Sequence, residues 1–216
     1  MDLNTSKNLG GIGALLLFVT ILPYVNIVNY FGIVSLIGVI LLLIAAKGLA
    51  DYYSEGGIFN NALYGTILSI VGVVAFVGVL FYSLVGLLAD LGWTGIEAGD
   101  IASFVSSFRD VTSLTSLALG DLMGFLRGIV VALVILFVLV VIAAVFFRKS
   151  MSLTAKRTGV GLFGTAGMLL LIGAVLTIIL IGVFLMWISL LLIAIAFFQI
   201  RAQPAQNTAP PPPSQT

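Results

Sequence analysis

Hydrophobic and polar positions in this chain are segregated into long blocks. Residues 8–46, 56–89, 128–147 and 158–200 contain no Asp, Glu, Lys or Arg. Within them Leu, Ile, Val, Phe, Ala and Gly follow one another without a polar stripe. A helix in water needs a polar face, and these stretches have none. Runs this long and this apolar read as membrane-spanning helices. A β-barrel would instead alternate apolar and polar residues over segments of about ten.

Run length predicts the number of helices, because one crossing takes about 20 apolar residues. Residues 8–46 suffice for two short crossings with a turn at Pro23-Tyr24-Val25-Asn26-Ile27-Val28-Asn29-Tyr30. Pro23 disfavours helix just before it, the asparagines suit a loop, and the tyrosines suit the membrane interface. Residues 158–200 again suffice for two, turning near Ile181-Gly182. The fold class that follows is all-α, a polytopic transmembrane bundle of six helices near 8–23, 30–53, 58–88, 122–147, 158–180 and 183–200. These form one transmembrane domain over 1–201, organised as two hairpins flanking two single spans. Residues 202–216, with Pro210 to Pro213, read as a disordered cytoplasmic tail. The start of the chain reads as a retained first helix and not as a removed signal peptide.

The long connection between the third and fourth helices has its own pattern. Thr94-Gly95-Ile96-Glu97 matches a capping box. Ile101, Phe104, Val105, Phe108 and Val111 then recur at helical spacing. An amphipathic helix lying on the outer surface is expected within 94–121.

Charge sets the expected orientation. Six helices place both termini on one side, together with Lys7, Lys47, Arg148, Lys149, Lys156, Arg157 and Arg201. Arg109 and Arg127 fall on the other side. By the positive-inside rule the termini are cytoplasmic and the protein belongs to the cell membrane.

Composition narrows the chemistry. Charged residues make up 8% of the chain and mean hydropathy is +1.28, while the net charge of +1 gives no reason to expect a nucleic-acid partner. The chain has no Cys and no His. Disulfides, thiolate zinc sites and iron–sulfur clusters are thereby excluded, and the commonest general base and metal ligand are missing. No charge falls at the middle of a span, so no proton relay or ion-binding carboxylate is visible there. The expectation is no enzyme, no cofactor and no metal.

Two sets of residues stand out. Small residues at Gly10, Gly13, Gly65, Ser69, Gly72, Gly161, Gly164 and Gly167 suit close helix packing. The Gly10-Gly11-Ile12-Gly13 run is no phosphate loop, since neither a preceding strand nor a following Lys-Ser/Thr accompanies it. The second set is polar and lies on the basic side. Lys47, Asp51, Tyr52 and Tyr53 form one segment, with Lys47, Asp51 and Glu55 expected on one helical face. Arg148, Lys149, Lys156 and Arg157 form a basic loop suited to anionic headgroups. Expected partners are membrane lipids, a second copy of the chain, or another membrane protein. The alternative function is a carrier or channel for a neutral or apolar small solute, along a path lined by Asn26, Asn29, Ser35, Thr66, Ser69, Ser83, Thr177 and Ser189. The first and last hairpins also share a Gly-x-Leu-Leu-Leu start and a Leu-Leu-Leu-Ile-Ala return, a weak internal repeat in parallel orientation.

Lys7-Asn8-Leu9-Gly10-Gly11-Ile12-Gly13, Asp51-Tyr52-Tyr53 with Ile58-Phe59-Asn60-Asn61, Leu162-Phe163-Gly164-Thr165-Ala166-Gly167 and Ala196-Phe197-Phe198 carry a resemblance. The chain resembles the small, mainly archaeal multi-pass membrane proteins called domain of unknown function 996. The resemblance covers roughly residues 3–200, apart from the 90–121 connection. It implies a helical membrane protein and carries no assigned activity or catalytic residue.

Overall fold

In lipid a backbone has no water to bond, so each span must satisfy its own N–H and C=O groups. The apolar runs therefore become helices. The structure is a computed structural model and describes residues 2–20, 31–90 and 119–201. Six α-helices occur among them: α1 Leu3–Thr20, α2 Phe31–Tyr52, α3 Gly56–Asp90, α4 Leu119–Thr158, α5 Leu162–Leu176 and α6 Ile181–Gln199. Five of the six, α2 to α6, are long and apolar enough to cross a membrane. The chain is a multi-pass membrane protein. The expected turn at 23–30, most of the expected surface helix at 94–121 and the tail at 202–216 lie outside the described residues.

Successive helices pack side by side and antiparallel, and α6 closes back onto α1. The result is a ring of six helices, alternately up and down. The closing seam is tied at three levels. Lys7 Nζ donates to the Ile200 carbonyl at 3.0 Å, Gly10 lies against the Phe197 ring, and Trp187 Nε1 donates to the Phe18 carbonyl at 2.9 Å. The Phe18 and Trp187 rings stack with centroids 4.7 Å apart. The two helices expected as single spans, α3 and α4, pair more extensively than any other two. The ring is thus three hairpins and not two hairpins with two lone spans.

The tightly packed core sits at the basic end of the ring. Leu49, Ile58, Phe163, Phe197 and Ile200 are buried there among Ala45, Ala50, Ala166, Ala194 and Ala196. Phe163 and Phe197 meet edge to face at 5.0 Å. Toward the other end α3 and α4 outrun their neighbours. The 40 residues of α4 span about 60 Å, twice the hydrocarbon thickness. Its charge-free part, 128–147, matches that thickness by itself and is framed by Arg127 and Arg148.

Three boundaries differ from expectation. The basic segment 148–157 is no loop. It is the last three turns of α4, because Ser150, Thr154 and Thr158 recur every four residues on a buried face and no Gly or Pro interrupts before Gly159. Gly159 then ends the helix at φ 72°, and its N–H donates to the Ala155 carbonyl. The α5–α6 turn falls at Thr177–Leu180, earlier than Ile181-Gly182, through a 3₁₀ turn and a left-handed Leu180. Gly182 is instead where α6 crosses Gly173 of α5 at backbone distance. Helix α1 begins at Leu3, which is buried, several residues before the apolar run.

Candidate functional site

The polar residues at the basic end do not converge on one centre. Lys47 Nζ pairs with Asp51 Oδ1 at 2.7 Å along α2, and the ammonium lies 5.6 Å from the Phe59 ring. Glu55 leaves that face. Helix α2 closes with Ser54 in the left-handed region at φ 52°, while the Glu55 N–H donates to the Ala50 carbonyl and the Ser54 N–H to that of Asp51. This is a Schellman closure with serine where glycine is usual. It turns the Glu55 carboxylate toward α4, where Arg157 donates to Oε2 from Nη2 at 2.6 Å and from Nε at 3.2 Å. The hydrogen bond from Arg157 holds the Glu55 carboxyl below its ordinary value. Slight burial opposes this, and the Arg157 charge and the Gly57 backbone reinforce it. Tyr52 and Tyr53 meet edge to face at 4.9 Å. Burial, then the neighbouring Tyr52, raises the Tyr53 phenol, and its hydroxyl has no hydrogen-bond partner. Lys149 lies 5.7 Å from the Phe146 ring, and Lys156 is exposed.

The small residues fall into two groups. Gly10, Gly13, Gly65, Gly72 and Gly167 stand at helix crossings: α1 on α6, α1 on α2, α3 on α4 twice, and α5 on α4. A Cβ at Gly13 would come within 2.8 Å of the Gly38 carbonyl oxygen, and one at Gly167 within 2.9 Å of Met151. Ser69 is half-buried and donates to the Gly65 carbonyl of its own helix. Gly161 and Gly164 differ. A Cβ at Gly161 meets nothing within 4 Å, and one at Gly164 only Ala155 at 3.9 Å. These two belong to a turn and a helix start, where small size is not what the packing requires. Gly38, Gly173 and Gly182 make crossings that the glycine pattern did not single out.

The ring encloses a cavity of about 190 Å³ to which all six helices contribute. Leu17, Leu42, Ala46, Ala62, Leu170 and Ile193 represent them among its wall residues, with Phe147 and Met151 of α4. From Val39 to Leu49 along α2 it runs for about 15 Å. Its polar residues are Thr66, Ser150 and Thr154. Thr66 donates to the Ala62 carbonyl at 2.9 Å, Thr154 to that of Ser150 at 2.9 Å, and Ser150 across to that of Ile58 at 2.7 Å. With their protons committed to backbone oxygens, the three hydroxyls offer a solute only acceptor lone pairs. Such a cavity suits an apolar molecule. One of about 150 Å³ already admits benzene.

The residues expected to line a polar path do not share one. Asn26 and Asn29 lie outside the described residues. Thr66 reaches the central cavity, whereas Thr177 lines a separate apolar groove between α4 and the α5–α6 turn. Ser83 donates to Val79, Thr177 to Gly173 and Ser189 to Ala166, each at a backbone carbonyl. Sequence reasoning missed Ser150 and Thr154, since a segment assigned to a loop has no inward face. Their four-residue spacing with Thr158 was the available signal.

Comparison with known proteins gives a relationship without an activity. An uncharacterised protein of Methanocaldococcus jannaschii is 28% identical over 203 residues, covering 93% of this chain and 94% of that one. No solved structure matches. The family described as "Protein of unknown function (DUF996)" matches residues 34–195, a stretch that takes in the 90–121 connection the sequence resemblance left uncovered. The chain belongs to this family.

Proposed function

We propose that this protein is a non-enzymatic component of the cell membrane, with six crossings and both termini in the cytoplasm, which acts by packing its helices with a second copy or with another membrane protein. One observation carries the reading. In the spans and the inward face of α4, the hydroxyls of Thr66, Ser69, Ser83, Ser150, Thr154, Thr177 and Ser189 all donate to backbone carbonyls. Ser150 and Ser189 bond across helices and the other five bond back within their own helix, so the protons of these hydroxyls are committed to the bundle. The apolar surface, by contrast, is turned outward along the distal half of α3: Val74 is 66% exposed and Tyr82 80%. The seven-to-two split of basic residues supports the orientation.

The test exploits the absence of native cysteine. A single Val74→Cys or Tyr82→Cys, oxidised in native membranes, forms a disulfide-linked dimer or a cross-link to one defined membrane partner. Full-length protein that stays a lone monomer in both variants, and again after gentle solubilisation, overturns the reading.

A second reading rests on the central cavity: binding or carriage of a small apolar solute. Under it, native mass spectrometry detects an apolar adduct that Ala62→Leu displaces. No adduct in either protein overturns it.

A further inference from the structure

Three ends of two charge-free runs meet at one place. Run 8–46 begins just after Lys7, run 158–200 begins at the α4–α5 turn, and the same run ends just before Arg201. Those points surround a recess of about 550 Å³ between α1, the Gly159–Leu162 turn and the end of α6. Its wall is split by chemistry. Val160, Leu162 and Phe198 are apolar, whereas Lys7 and Arg201 are cationic. The hydrogen bond from Lys7 Nζ to the Ile200 carbonyl holds the ammonium at the rim, next in sequence to Arg201, and leaves it two further donors. Among the described residues the ion pairs are Lys47–Asp51 and Arg157–Glu55, so neither Lys7 nor Arg201 is ion-paired there. The mouth is wide because neither Gly159 nor Gly161 would meet anything within 4 Å on gaining a Cβ.

We propose that this recess seats an anionic phospholipid, its phosphate between Lys7 and Arg201 and its acyl chains along Phe198 and Leu162. Phosphate is the shared chemistry of a lipid headgroup and a free anion. The apolar wall and the position at the edge of the membrane-spanning runs favour the lipid. Basic pockets between membrane helices are suited to such headgroups, and each cation near the surface contributes roughly a fivefold gain in affinity.

The experiment is native mass spectrometry of the full chain in neutral detergent. The probes are dioleoyl phosphatidylglycerol and dioleoyl phosphatidylcholine, with inorganic phosphate as competitor. The expected result is one phosphatidylglycerol held per chain in preference to phosphatidylcholine. Lys7→Gln and Arg201→Gln each weaken it about fivefold and together about thirtyfold. Lys7→Arg retains it, and so does Lys149→Gln, which lies outside the recess. Gly161→Leu, at a position with ordinary helical backbone angles and open space, blocks the mouth without changing charge. Arg201 is exposed at the end of the described chain, so Arg201→Gln and Gly161→Leu keep the test decisive if Lys7→Gln unfolds the seam. Equal retention of both lipids overturns the proposal. So does a loss in Lys149→Gln matching that in Arg201→Gln, or displacement of the lipid by millimolar inorganic phosphate.

Discussion

Ser150 of α4 donates its hydroxyl to the carbonyl of Ile58, 92 residues earlier on α3, at 2.7 Å, and both residues are about 1% exposed. The bond fixes the α3–α4 hairpin where the ring is tightest. Ser189 does the same for α6, donating to the Ala166 carbonyl of α5 at 2.8 Å. Both receiving carbonyls lie within helices, so each serine adds a bond across helices to a group that the helix can already satisfy. Ser150→Ala and Ser189→Ala each lower stability by about 1 kcal/mol. Half-buried Ser152, substituted in the same way, changes it little. Reversible unfolding in mixed micelles reads these differences, and equal values for positions 150 and 152 would show that the bond across helices contributes nothing.

Glycines in this bundle divide by what surrounds them. Gly13→Ala forces a methyl to within 2.8 Å of the Gly38 oxygen, which is backbone and cannot swing aside. The α1–α2 crossing must open, at a cost of about 1–3 kcal/mol. Gly78→Ala meets nothing within 4 Å on the outer part of α3 and gains helix propensity, so it leaves stability unchanged or raises it by up to about 1 kcal/mol. The same micelle unfolding assay separates the two, and a larger loss at 78 than at 13 contradicts the packing described.

Helices were legible because lipid leaves an apolar run no other structure. Which face of each helix meets which neighbour was not legible, and the reason is also physical. A span has apolar surroundings on both sides, so buried and exposed positions can be equally hydrophobic. Ala14 is fully buried and Leu15, beside it, is 37% exposed. The residue-size pattern retains some of the lost information. Ala and Gly dominate the crossings, and Ser150, Thr154 and Thr158 mark the inward face of α4. Extending α4 through its basic residues required noticing that spacing. The central cavity has no counterpart in the sequence, because its wall comes from six separated segments whose apolar residues look like any others.

The Glu55–Arg157 pair gives the assembly an acid limb. Arg157 holds the Glu55 carboxyl below its ordinary value, so folding releases a proton that the unfolded chain binds more tightly. The stabilisation is fully present above the ordinary carboxylate pKa of about 4.3 and is lost as the pH falls through the lowered folded value. The Arg157 side chain is half exposed, so salt screens the pair and the effect is small. Unfolding measured from pH 7 down to pH 3 shows a stability loss in the native chain at low salt. Glu55→Gln lacks that component, and an unchanged acid profile in Glu55→Gln would assign the loss to other carboxylates.

The proposed orientation rests on where the basic residues lie relative to the spans. Lys7, Arg148 and Arg201 stand at the ends of the charge-free runs on the same side as Lys47, Lys149, Lys156 and Arg157, while Arg127 marks the opposite boundary of α4. The α4–α5 turn is short, and positive charge has its greatest topological effect in short connections. The chain has no cysteine, so single cysteines report location without background. A membrane-impermeant maleimide applied to intact cells labels Asp100→Cys and leaves Lys156→Cys unlabelled until the membrane is opened. The reverse pattern inverts the proposed orientation. Labelling of both from outside would mean that the ring inserts in both orientations, and would overturn a single orientation for the population.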